Sequence, residues 1–330
     1  MQKRIAVLVL ALCLCLTACG RREPGAPESP RPATLLETAS GLTEEEILLT
    51  IDGREVPAWR YLYWLAYTCD QLAERYAQSA LPLDWSAPVP GGTLADYAKD
   101  QALANTALYT VVENWADAYG CETPEEETET AQALPDLGLT EAQLRQLEDV
   151  GRSYAALYAL YHTQGSALAP TEEDLASYGR ELGALTLDRI LVSGGEDREA
   201  ARQRISELFS RLNGAEDQAA AFTELASAGD DPAGPRTVLT EEGGLDETLL
   251  AAAKTMEEGQ YSGILESEEG FSILRRLPLD TGALLDGCFD ALLESAARQA
   301  QVAAAPAYDA LDAAAFYEAF QEARRSASAS

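Results

Sequence analysis

The order in which hydrophobic periodicities follow one another along the chain is its tightest constraint. In the first half, apolar residues recur at helical spacing, as in Tyr61, Leu65, Leu72 and Tyr76, the signature of one buried helix face. Helices are expected near 93–119, 140–149 and 151–163. Between 185 and 277 the pattern changes. Strand-like runs over 185–192, 261–266 and 271–277 alternate with helical segments over 196–213, 217–227 and 246–257, and 228–244 reads as an irregular loop. Residues 284–322 are helical again and rich in alanine. A compact mixed unit thus interrupts helical material, which implies an α+β chain whose N- and C-terminal segments share one unit.

Local signals support this order. Asp52-Gly53 between two short apolar runs is a hairpin turn cue, and Pro170-Thr171 with Glu173 or Asp174 is a helix start. In 196–213, residues Ile205, Leu208, Phe209 and Leu212 form one stripe. The "SEEG" between the last two strands reads as a turn ending at Gly270.

The N-terminus carries a different message. Lys3 and Arg4 precede an apolar run over 5–16, too short to span a bilayer as an ordinary helix and suited to an export signal. Leu16-Thr17-Ala18-Cys19 resembles the lipobox of bacterial lipoproteins, which implies a signal peptide over 1–18, cleavage before Cys19 and lipid on that cysteine. The mature chain is then expected on the extracytoplasmic face of the cell membrane. Four prolines within 21–40 suggest that residues 19–41 form a spacer.

The net charge is −31, and losing Lys3 and Arg4 with the signal makes it more negative. That excludes nucleic acid and anionic lipid as partners of the folded surface. Scattered carboxylates form no calcium-loop pattern, and the single histidine, His162, excludes histidine-pair metal sites. It lies at the end of an apolar helix, a structural position that suits a cation. No metal or cofactor is expected. Of six cysteines, Cys69, Cys121 and Cys288 remain in the mature domain, with neither disulfide-framework nor zinc spacing. A Cys69–Cys288 bridge and buried free thiols are both open.

In "LTLDRILVSGG" (185–195), Leu185, Leu187 and Leu191 alternate on one face and Arg189 stands among them, where period-2 patterning would place an uncharged group. Three readings stay open: an ion pair with Asp231 or Asp188, a donor to a prolyl nitrogen, or a charge at an exposed strand edge.

The arrangement resembles the extracytoplasmic foldases of the PrsA and SurA type. "LTIDGREVPAWRYLYWL" is similar to the hairpin and helix that open their chaperone domain, and "RILV" to the first strand "HILV" of parvulin-type peptidyl-prolyl isomerases. "FTELASAGDDP" and "LLAAAKTMEEGQYSGILESEEGFSIL" resemble later segments of the same domain. Gly259, Ser262, Gly270 and Ile273 fall at matching places. The resemblance implies a helical SurA-N-like domain over 42–168, completed by helices over 281–325. Inserted within it, over 169–280, is a parvulin-like domain with a small, mostly antiparallel sheet flanked by helices.

Two histidines characteristic of parvulin sites would fall at 189 and 272, where this chain has Arg189 and Ser272. Asp231 matches the acidic position beside the prolyl bond, Leu245 an apolar pocket residue, and Leu249 stands where the family has an aromatic; Met256 could complete the cup. An arginine only donates and keeps its charge, so it does not replace a proton-sharing histidine. The resemblance therefore implies a membrane-anchored folding factor that binds unfolded exported chains, with reduced or no isomerase activity and with a homodimer left open. An active isomerase with an altered site and a non-catalytic partner-binding lipoprotein are the alternatives. Trp59, Tyr63, Trp64, Tyr67, Trp115, Tyr154 and Phe316 are candidates to line an apolar cradle for clients, with core filling the more frequent role of any one such aromatic.

Overall fold

The computed structural model describes residues 33–121, 137–240 and 245–328. The expected signal peptide, Cys19, most of the expected spacer and the acidic run after Cys121 lie outside the described residues. The spacer expected to reach residue 41 ends earlier: Leu35–Ser40 form helix α1, opened by a capping box between Thr34 and Glu37. Leu36 is buried, and that apolar anchor is what draws the segment onto the domain.

Strands β1 (Ile47–Ile51) and β2 (Arg54–Pro57) pair antiparallel. Asp52 and Gly53 both take left-handed conformations, with φ of 47° and 83°, as a two-residue hairpin turn requires. Helix α2 (Ala58–Gln78) follows without a break and is buried almost all round through its first half. A short ribbon, β3 (Pro88–Val89) and β4 (Gly92–Thr93), leads into α3 (Leu94–Tyr119), capped by Thr93 and Asp96 and stopped at left-handed Gly120.

Helix α4 (Glu141–His162) is continuous through Gly151, where two helices were expected. A mid-helix glycine costs about 1 kcal/mol. Burial of Leu147, Val150 and Leu157 on the same helix outweighs that cost.

The inserted unit begins at α5 (Glu172–Glu181), capped by Thr171 and Asp174. Strand β5 (Ala184–Ser193) is followed by α6 (Arg198–Gly214), α7 (Gln218–Ser227), β6 (Arg236–Leu239), α8 (Glu247–Thr255), β7 (Leu265–Glu266) and β8 (Gly270–Leu277). The strands form an antiparallel sheet in the order β6-β5-β8-β7. One face packs Ile190, Val192, Phe271 and Ile273 against α6 and α7, and the other packs Leu185, Leu187 and Leu274 against α8. Both faces are covered, which explains why β5 is apolar in consecutive positions rather than in alternate ones.

Two strand expectations are corrected. The loop expected over 228–244 contains β6, and the strand expected over 261–266 shrinks to β7 plus a bridge from Tyr261 to Arg275. In the second case the Ser262 hydroxyl accepts the Leu274 N–H at 2.8 Å, substituting for a backbone acceptor. Gly270 fits as a turn glycine: its φ is 146°, and a Cβ there would lie 2.3 Å from the Val192 carbonyl.

After a 3-10 turn at Thr281–Leu284 the chain returns through α9 (Leu285–Gln299), β9 (Val302–Ala304), α10 (Pro306–Ala310) and α11 (Ala313–Ser328). The helix expected across 284–322 is therefore interrupted. Strand β9 pairs with β1, Leu49 opposite Ala304, because the free edge of β1 offers partners that an alanine-rich run accepts without steric objection. Helix α11 buries Phe316, Tyr317 and Phe320 and packs against α1 and α2. Asp70 of α2 accepts from Tyr317 (2.8 Å), Gln321 (3.1 Å) and Arg324 (2.7 Å) of α11.

A buried ion pair joins α2 to α3. Arg60 donates to both Glu113 oxygens at 2.6 and 2.9 Å, with only 6% of its side chain exposed. Breaking a buried pair by removing one partner costs more than the pair contributes, since the remaining charge is left desolvated. Glu113→Ala is expected to destabilise the protein by about 3 kcal/mol, read as a lower urea midpoint at unchanged slope.

Candidate functional site

In the β5–β8 register Arg189 lies opposite Leu274 and Leu191 opposite Ser272. Directly opposed residues share a face, so Arg189 and Ser272 are diagonal neighbours on the side covered by α8. Leu249 and Ala253 of α8 fill that side, with Leu245 and Met256 packed against them. The sheet therefore gathers Arg189, Ser272, Leu245, Leu249 and Met256 into one neighbourhood.

Asp231 reaches the same place from the loop after α7. That loop is pinned across β5: the Asp230 N–H donates to the Leu191 carbonyl at 2.9 Å, and the Asp230 carboxylate accepts from the Ser193 N–H at 2.8 Å and from Arg204 at 2.9 Å. Asp231 then accepts from Arg189 Nη2 at 2.5 Å and Nε at 3.1 Å. Arg189 Nη1 donates to Glu269 at 2.7 Å, and Arg236 of β6 closes on the Asp231 oxygen that Arg189 already holds. Asp188, the other partner considered for Arg189, accepts only its backbone N–H, at 2.9 Å. The arrangement is the structural ion pair among the three readings.

The electrostatics agree with that geometry. The Arg189 hydrogen bond, with the Arg236 charge behind it, holds the Asp231 carboxyl below the usual range. Burial works against the Arg189 charge, but hydrogen bonds to Asp231 and Glu269 more than offset it and raise its proton affinity. Asp188 moves the other way, raised by burial, because its alternation along β5 points it into the sheet's opposite face.

Little here resembles a working cup for a proline ring. Leu249 is 1% exposed and Ser272 0%, so both are packed into the domain rather than presented to a ligand. The Ser272 hydroxyl is buried without a hydrogen-bond partner among the described residues. Glu269 and Arg236 were not anticipated from sequence. Arg236 lies in a strand that reads as loop, and Glu269 in a turn whose proximity to Arg189 depends on the β5–β8 register.

The aromatic cradle is also revised. Trp59, Tyr63, Trp64 and Phe316 are buried in the helical core, while Tyr67, Trp115 and Tyr154 are half-buried; tight helix packing, not a groove, takes up the aromatic mass. Cys69, Cys121 and Cys288 are all free thiols, which rules out the Cys69–Cys288 bridge. Burial pushes the Cys69 thiol up to about 12, where it is inert.

Residues 186–277 match the PPIC-type PPIase domain of the rotamase family. The inserted unit is thus a parvulin-type rotamase domain, carried between two segments of a helical unit. Among solved structures, PrsA from Bacillus subtilis is similar to the chain at 16% identity and a TM-score of 0.25, covering 86% of this chain and 93% of that one. The foldase protein PrsA from Streptococcus pneumoniae is similar at 12% identity, a TM-score of 0.24, and 72% and 92% coverage. A structure of SurA-like chaperones from Campylobacter jejuni is similar at 8% identity, a TM-score of 0.18, and 79% and 99% coverage. No curated protein matches the chain.

The ion cluster has a definite pH signature. Because the folded state holds Asp231 below its unfolded value, the pair's contribution is complete above the ordinary carboxylate range near ~3.9 and is lost as pH falls through the folded value. Asp231→Asn is expected to be less stable than the parent at pH 7. The difference between the two should shrink as pH falls below about 4, in thermal melts recorded from pH 7 to 2.5.

Proposed function

We propose that this chain is an extracytoplasmic folding factor, anchored in the cell membrane by lipid on Cys19, whose rotamase-type domain binds client polypeptides without catalysing prolyl isomerisation. The observation that carries the reading is the state of the two positions where parvulins place histidines. Arg189 is fixed by Asp231 and Glu269, and Ser272 is buried with no hydrogen-bond partner for its hydroxyl among the described residues.

Isomerisation requires a protein to favour the twisted amide over the planar one, across a barrier of about 18 to 20 kcal/mol. Groups that do so must be aimed at the substrate and free of stronger partners. An arginine already committed to two carboxylates has no such freedom. Releasing it would leave Asp231 and Glu269 beside each other near the sheet with only Arg236 to offset them.

The whole chain is expected to show no proline-dependent rate above background in an exchange-NMR isomerase assay, while suppressing aggregation of a chemically denatured test protein. Catalysis that disappears in Arg189→Ala or Asp231→Ala would instead establish an active isomerase with a rebuilt site. A client-specific pull-down without general aggregation suppression would favour a dedicated partner-binding lipoprotein. For the anchor, Cys19→Ala is expected to move the protein from the membrane fraction to the soluble extracytoplasmic fraction.

A further inference from the structure

The only histidine of the chain sits where the two units meet. His162 is the last residue of α4, from which the chain leaves the helical unit, and Asp286 is in the first turn of α9, by which it returns. His162 Nδ1 is 2.8 Å from the backbone carbonyl of Tyr158, and Nε2 is 2.8 Å from Asp286 Oδ1. A carbonyl oxygen only accepts, and an ionised carboxylate only accepts. Both ring nitrogens must therefore donate, and only the imidazolium carries two N–H groups. A neutral ring bonded to Tyr158 would turn a bare nitrogen lone pair toward the Asp286 oxygen.

The surroundings favour that charged pair. The carboxylate lies at a helix N-terminus and the imidazolium at a helix C-terminus, the favourable end for each. The Tyr158 hydroxyl also donates to Asp286 Oδ1, at 2.6 Å. That bond and His162 hold the Asp286 carboxyl below its ordinary range, so it stays ionised throughout the range in which imidazole titrates. The other titratable groups here are Tyr154, bonded to Asp290 at 2.6 Å, Tyr161 with its hydroxyl near Cys288, and, from α5, Asp174 and Tyr178 beside Tyr161. Burial and hydrogen bonds raise the Tyr154, Tyr158 and Tyr161 hydroxyls, which stay neutral, and none of these groups brings a competing cation.

We propose that the His162–Asp286 contact is a proton-dependent clasp that fastens α4 to α9 at the junction of the two units while the ring holds both protons, and loosens when it loses one. The chain crosses this junction twice, over 163–171 and 278–284, and α5 packs closely on α9 beside it: a Cβ on Gly287 would lie 2.9 Å from the Tyr178 hydroxyl. Loosening the clasp frees the rotamase-type domain to move relative to the helical unit without unfolding either.

The experiment uses the whole chain. Hydrogen exchange of the 163–171 and 278–284 amides, corrected for intrinsic pH dependence, should accelerate about two- to fivefold between pH 5.5 and 8.5, the range of a partly exposed ion pair. Ring ¹⁵N shifts of the lone histidine should change over the same pH interval. In Asp286→Asn the carboxamide can donate to an unprotonated nitrogen, and in His162→Gln nothing titrates, so both variants should lose the pH response. Equal exchange at both pH values in the parent, or the same acceleration in Asp286→Asn, would overturn the clasp.

Discussion

The pairing of β9 with β1 is the contact on which the architecture depends. It joins Ile51 to Val302 and Leu49 to Ala304, residues some 250 positions apart, and the loop-closure entropy of so long a connection has to be recovered by packing. Recovery comes from α11, which buries Phe316 and Phe320 and is fastened to α2 through Asp70. Once the two chain ends share one core, the segment between them must leave and re-enter that core. The rotamase-type domain is thereby held at two points of attachment rather than hung on a single linker.

Inside that domain the governing constraint is electrostatic. A guanidinium on the face of a buried sheet cannot stay unpaired, because desolvating a lone charge costs several kcal/mol. Asp231 and Glu269 converge on Arg189 for that reason, and Arg236 pairs with Asp231 behind them. A histidine pair can exchange a proton with its surroundings and accept or donate as needed, whereas a paired arginine has one permanent state. The Ser272 hydroxyl, opposite Leu191, is interior and has no hydrogen-bond partner among the described residues.

How much of this was legible in the sequence depended on whether the determinants were local. The Asp52-Gly53 hairpin, the Thr-initiated helices and strand β5 follow from residues within a few positions of one another, and they appear where expected. Arg189 and Ser272, singled out through the family resemblance, share one face because of the β5–β8 register. The missing pieces all depend on distant partners. Strand β6 has no period-2 pattern and exists because β5 offers an edge; β9 is an alanine run recruited by β1; Glu269 and Arg236 become site residues only through the register. The aromatic residues of α2 stayed open between core and cradle for a related reason: a helix buried all round and a helix facing a groove carry the same stripe, and only the packing of α1, α3 and α11 distinguishes them.

The placement of ionisable groups then divides the molecule's chemistry in two. At the position that matches a parvulin histidine, this chain has a permanently charged group held by Asp231 and Glu269, with the Asp231 carboxyl kept below its usual range. The chain's one imidazole stands instead at the crossing between units, with acceptors on both of its nitrogens. A side chain that changes charge near neutrality can alter only what it touches, and His162 touches the two helices that carry the chain out of the helical core and back. The proposed clasp therefore lies in how the two units are held together, and not in the ion cluster on the face of the sheet.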